Sequence, residues 1–193
     1  MGKVTNIAEY SLGELHGSYK RFTSENKIDL EIVYNNGDQI ETIYYNDSGY
    51  IAERGLIIDF MPHGLYKSFY NSGDIKAEEW YNYGVLDGYA KKYYPNGKLE
   101  TEEFFINGQI QNSKYYYSNG QLWIELEFKN NKLWRVVSNY TSTGKKNKKG
   151  SLKKGCGTIL WYNEDGSLRE TAHYMNGEMI KSEIEKNTQC PIE

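Results

Sequence analysis

Proline, cysteine and histidine are all scarce: three, two and three residues in a chain of 193. Two thiols, Cys156 and Cys190, cannot staple a disulfide framework, and three scattered histidines give no metal-ligand spacing. The expectation is a chain with no cofactor and no structural metal. No apolar run approaches the roughly 18 residues a membrane helix needs, and the first 25 residues lack the apolar stretch of a secretion signal. The sequence therefore reads as cytoplasmic. With 19 glycines against three prolines, many turns are needed and few are built on proline.

Aromatic residues are abundant. Nineteen tyrosines, six phenylalanines and four tryptophans carry most of the apolar surface in a chain of mean hydropathy -0.78. Large rings of this kind suit pleated, half-buried strands. Net charge is -3, but six lysines crowd into 145–154, at Lys145, Lys146, Lys148, Lys149, Lys153 and Lys154. Taking those six from the total of 23 leaves 17 basic residues against 26 acidic ones, a balance of -9. An acidic remainder favours a basic partner over nucleic acid or an anionic membrane.

The dominant signal is internal repetition. Turn-like tripeptides recur from Glu25-Asn26-Lys27 through Asp47-Ser48-Gly49, Asn71-Ser72-Gly73, Pro95-Asn96-Gly97, Ser118-Asn119-Gly120 and Ser142-Thr143-Gly144 to Glu164-Asp165-Gly166, spaced 22 to 24 residues apart. Four positions before each marker stand Phe22, Tyr45, Phe69, Tyr93, Tyr116, Tyr140 and Tyr162, every one aromatic. Two after it stand Ile28, Ile51, Ile75, Leu99, Leu122, Lys146 and Leu168; eight after it, Tyr34, Ile57, Tyr81, Phe105, Phe128, Leu152 and Tyr174. Their even separation places these two columns on one side of an extended strand. A second turn series interleaves at Gly13, Gly37, Met61, Gly84, Gly108, Lys132, Gly155 and Gly177. Strands of six to eight residues between turns leave no room for helices. The expected fold is all-β: about seven tandem antiparallel β-hairpins of period near 23, forming one elongated, twisted, single-layer sheet over residues 1–193.

The unit Tyr93-Tyr94-Pro95-Asn96-Gly97-Lys98-Leu99 with Phe105-Ile106-Asn107-Gly108, and its neighbour Tyr116-Tyr117-Ser118-Asn119-Gly120-Gln121-Leu122, resembles the bacterial MORN-variant repeat. The likeness is strongest from Gly64 to Phe128. Proteins built from such repeats are similar to the YwqK-type antitoxins, and the resemblance implies a non-enzymatic protein that binds and neutralises a toxin.

The sixth unit departs from its neighbours. Lys146, Asn147, Lys148, Gly150 and Ser151 weaken the strand expected there, predicting a protruding, mobile basic loop over 143–156. A short charged tail over 181–193, Lys181 to Glu185 above all, is expected to cap the last sheet edge.

Odd offsets point away from the expected core, and in the central repeats they hold Glu78, Trp80, Glu102, Phe104, Trp123 and Glu125. Rings interleaved with carboxylates suit a protein-binding face, the rings as anchors and the acids steering a basic partner such as a toxin. Cross-strand neutralisation by Lys67, Lys91 and Lys92 is the alternative. Matching acids in successive repeats lie roughly 9 to 10 Å apart, without a nucleophile, so no catalytic residue is expected. Self-association through open sheet edges, and nucleic-acid or lipid binding by the lysine run, are the other function classes considered.

Overall fold

The computed structural model describes residues 4–184, and all regular structure among them is antiparallel β. Eight strands come first: β1 (Asn6–Ser11), β2 (Glu14–Phe22), β3 (Ile28–Asn35), β4 (Asp38–Tyr45), β5 (Ile51–Ile58), β6 (Met61–Phe69), β7 (Ile75–Asn82) and β8 (Val85–Tyr93). Four more follow, β9 (Leu99–Ile106), β10 (Gln109–Tyr116), β11 (Leu122–Lys129) and β12 (Lys132–Asn139). These twelve form one open sheet in strict sequence order. The last three, β13 (Gly157–Tyr162), β14 (Leu168–Met175) and β15 (Glu178–Ile184), form a separate sheet. The expected single sheet is thus broken once, after β12. Two compact units divide the chain, one running to residue 97 and including 105–108, the other comprising 98–104 and 109 onward.

Two turn types alternate, each with its own residue demands. After the even-numbered strands up to β10, and again after β13, the marker closes a tight turn: the amides of Gly49, Gly73, Gly97 and Gly120 donate to the carbonyls three residues earlier, at 2.8 to 2.9 Å. The marker then takes positive φ, 77° to 90° in these four. That geometry is a turn followed by a glycine bulge. The other turns have positive φ at both central residues, as in Asn36-Gly37 and Asn107-Gly108. Two positions of that series need correction: the left-handed pairs are Asp59-Phe60 and Asn130-Asn131, so Phe60 and Asn131 occupy the slots assigned to Met61 and Lys132.

Stacked turns explain why the period is kept. Tyr70 donates its hydroxyl to the carbonyl of Tyr93 at 2.6 Å, and Tyr117 to that of Tyr140 at 3.0 Å, each bridging one full repeat of 23 residues. At the opposite strand ends, the Gly84 amide donates to the Pro62 carbonyl and the Gly108 amide to that of Leu86, both at 2.8 Å. A repeat of different length would break both ladders.

Five of the marker turns are followed by a one-residue register shift. Phe69 pairs with Ile75 but Ser68 with Ala77, leaving Lys76 extra; the same shift occurs at Phe22/Ile28, Tyr45/Ile51, Tyr116/Leu122 and Tyr162/Leu168. A bulge resets the alternation of faces. Ile75 therefore lies opposite Phe69 while Tyr81 lies opposite Gly64, five residues away on β6, so the two columns expected on one side occupy opposite sides.

Core formation differs between the units. In the first, buried positions are few and mostly small: Thr42, Ile43, Gly55, Ala77 and Ala90. A Cβ on Gly55 would fall 2.5 Å from the Tyr66 ring, so that ring lies directly on backbone. In the second unit Ile124, Leu126, Leu133, Val136, Leu152 and Ile159 form a continuous buried cluster, with Tyr115, Trp123, Phe128, Trp161 and Tyr174 packed against it.

Leu152 belongs to the segment expected to protrude. That segment instead lies along β12, through bridges of Tyr140 with Lys146 and of Arg135 with Lys153, while the Lys149 ammonium donates to the carbonyls of Val136 and Val137. Lysines and glycine prevent a regular strand, but Leu152, in the same column as Phe128 and Tyr174, still anchors it in the core. The expected tail also starts too early: Lys181 to Ile184 are part of β15 and pair with β14, while Glu185 onward, including Cys190, lies outside the described residues.

Candidate protein-binding surface

In the first unit Glu78 and Trp80 share one face of β7, opposite Lys67 and Leu65 of β6. The Lys67 ammonium is 2.7 Å from the Glu78 carboxylate, and the Tyr93 hydroxyl donates to the same carboxylate at 2.9 Å. Lys67 first, then Tyr93, hold the Glu78 carboxyl below its ordinary range. Trp80 is 47 % exposed and lies against Gly88, where a Cβ would be 2.9 Å from the tryptophan Cβ. On β8 the Tyr89 ring is 48 % exposed, with the Lys91 ammonium 5.4 Å from its centroid. That contact places the Tyr89 ring beside Lys91, which pairs with Glu78, and so on the face that carries Trp80. Sequence reasoning missed Tyr89, because the register shift in β8 that surrounds it carries no residue signal.

In the second unit Glu102 and Phe104 are half-buried on β9, and the Lys114 ammonium is 3.3 Å from the Glu102 carboxylate. Glu125 pairs across strands with Lys114 and accepts a 3.4 Å hydrogen bond from the Ser138 hydroxyl. Trp123 does not join them. It is the extra residue of the β11 bulge, and its ring packs 5.5 Å from Tyr117 and 5.6 Å from Trp161, against the buried cluster. Two residues before Glu125, it was assigned to the same face by a count of two that the bulge invalidates.

The carboxylates nominated for steering thus meet cations on adjoining strands. This charge ladder is part of a wider lattice: Glu41 grips Arg54 through two 2.7 Å bonds, and Arg21 holds Asp29. Tyrosine hydroxyls donate to Glu31, Glu53 and Glu79 from Tyr45, Tyr66 and Tyr81, at 2.8, 2.6 and 2.9 Å. By contrast Lys145, Lys146, Lys148, Lys153 and Lys154 are exposed, and among the described residues none is paired with a carboxylate. Among those residues no group of three or more His, Cys, Asp or Glu is placed to hold a metal ion, and no helix is long and apolar enough to cross a membrane.

Four segments, 62–82, 86–107, 112–130 and 156–176, match the family described as MORN repeat variant. Over those segments the chain is similar to MORN-variant repeats. The matched stretches are hairpins of the lattice above, and the interval between the third and fourth takes in β12 and the irregular segment after it. No curated protein matches the chain. Among solved structures, accessory secretory protein 1, 2 and 3 of Streptococcus pneumoniae matches at 16 % identity and a TM-score of 0.19, over 67 % of this chain and 18 % of that one. Alternansucrase in complex with isomaltononaose matches at 15 % identity and 0.19, over 92 % of this chain and 17 % of that one. The chain thus spans under a fifth of either of those chains.

Proposed function

We propose that this MORN-variant repeat chain is a non-enzymatic protein-binding protein, an antitoxin or immunity protein that occludes the surface of a toxin. The observation that carries the binding reading is the pair Trp80 and Tyr89, two large rings each about half exposed on one face of a rigid, hydrogen-bonded sheet. Rings of this kind contribute contact area at low entropic cost and are enriched among binding hot spots. The finer antitoxin reading draws on the resemblance to YwqK-type proteins and on the acidic balance outside 145–154. Because Lys67 closes Glu78, binding at this face is expected to depend more on the rings than on salt.

The test is capture from the native lysate with the wild-type chain and with a Trp80→Ala, Tyr89→Ala variant, followed by expression of the captured protein alone. One stoichiometric partner that is lost with the variant, arrests growth alone and is relieved by this chain would support the proposal. A partner that is harmless alone would reduce it to a scaffold.

Self-association is the second reading, favoured by the open edge of β1, where Ile7 and Tyr10 are exposed. A strict monomer in sedimentation across a range of concentrations would remove it.

A further inference from the structure

Phe60 sits where this lattice otherwise uses glycine or asparagine. It is the second residue of a two-residue turn, with φ of +64°, and its side chain is fully exposed at 100 %. Positive φ is strained for any residue with a large Cβ substituent, and an aromatic ring in open water gains nothing from burial. Strain without compensating contacts points to a contact made with something else.

The surroundings say what kind of contact. Phe60 belongs to the row of two-residue turns in the first unit, and its neighbours there are also exposed and apolar: Leu12, Met61, Tyr83, Val85 and Ile106. The row is continuous from Phe60 onward. Met61 lies against Gly84, the His63 and Tyr83 rings are 4.4 Å apart, and the Val85 Cγ1 lies 3.1 Å from where a Cβ on Gly108 would be. Glu14, Asp38, Asp59 and Asp87 are interspersed, and none is paired with a lysine or arginine among the described residues. No lysine or arginine occurs in the turn stretches 11–16, 35–40, 58–63, 82–87 or 105–108. This row differs from the sheet face, where each nominated carboxylate has a lysine opposite. Asp59 and Phe60 also line a hollow of about 410 Å³ with Ile32, Thr42 and Ile57. The cation at its rim, Arg21, is held by Asp29 at 2.9 Å.

We propose that this row of turns is a docking edge for a basic, apolar-studded segment of a partner protein, with Phe60 its central anchor. Carboxylates without a lysine or arginine partner supply the charge complement, and the exposed rings and aliphatic side chains supply the desolvated centre. The same carboxylates disfavour an anionic membrane. The inference rests on the protein-binding reading above and assigns it a second surface with its own partner chemistry.

The probe is a fluorescent peptide of alternating arginine and leucine, titrated against the full chain by anisotropy. The wild type should bind it, more weakly as salt rises, and Phe60→Gly should weaken binding at least tenfold. Because glycine relieves the backbone strain, Phe60→Gly should also raise the melting temperature, by about 2–4 °C. Asp38→Asn with Asp59→Asn should flatten the salt dependence. Peptide binding unchanged in Phe60→Gly, or absent in the wild type, overturns the proposal. A concentration-dependent dimer lost in Phe60→Gly overturns it in favour of a second copy. If Phe60→Gly binds the peptide as the wild type does while Trp80→Ala, Tyr89→Ala loses the captured toxin, the docking edge falls and the function proposed above stands.

Discussion

Tyrosine does two jobs in this chain: its ring covers backbone and small residues, while its hydroxyl reaches a carboxylate. Tyr45 and Tyr81 show the electrostatic consequence. Burial, then the hydrogen bonds to Glu31 and Glu79, push each phenol up to about 12, and the same two causes raise Tyr66 beside Glu53. A phenol whose folded value is raised adds stability that is complete below its unfolded value near 10 and is lost as pH climbs through the folded one. Unfolding free energy, measured with urea from pH 8 upward, should hold to about pH 10 and fall between about 10 and 12. Tyr45→Phe with Tyr81→Phe should show a shallower fall across that window. An equally steep fall in that variant would assign the alkaline loss to other groups.

Two features of the elements decide what can be read from the sequence. The repeat itself was legible, because turn chemistry and the aromatic column recur at a fixed period and stacked turns enforce that period. Which face a residue takes was not, because register shifts in both kinds of hairpin insert residues that no propensity marks. Trp80 and Trp123 illustrate this: they carry the same side chain and were assigned one role, yet one is half exposed and the other is packed against the core. Trp123→Ala should cost about 3–5 kcal/mol and Trp80→Ala under about 1 kcal/mol in chemical denaturation. The segment after β12 gives a parallel case. Its lysines predicted a protruding loop, and they do keep it from forming a strand, but Leu152 is 6 % exposed within the core. Leu152→Ala should therefore destabilise by about 2–5 kcal/mol, whereas an excursion into solvent would make that substitution nearly silent. Phe60 was hidden for a related reason: its turn was placed one residue late, so the left-handed slot was not recognised as occupied by a ring.

At the scale of the molecule, an open sheet without a second layer obtains its stability from strand to strand, while a packed cluster adds burial that neighbouring strands alone do not provide. The first unit buries chiefly small residues, with the Tyr66 ring lying on Gly55; the second holds six buried apolar side chains in one cluster. Local opening should follow that division, since opening free energy rises with the apolar contacts that must be broken. Amide hydrogen exchange is the direct reading. Protection should be greatest in β11, β12 and β13, which contribute Ile124, Leu126, Leu133, Val136 and Ile159 to the cluster, and least in β1, which has a partner on one side and is exposed along most of its length. Leu126→Ala should lower protection in β11 to β13 while leaving β2 to β6 nearly unchanged, because a linear lattice passes a local loss mainly to its nearest neighbours. Equal loss of protection in all strands would mean that the chain opens as one cooperative body and that the cluster stabilises both units alike.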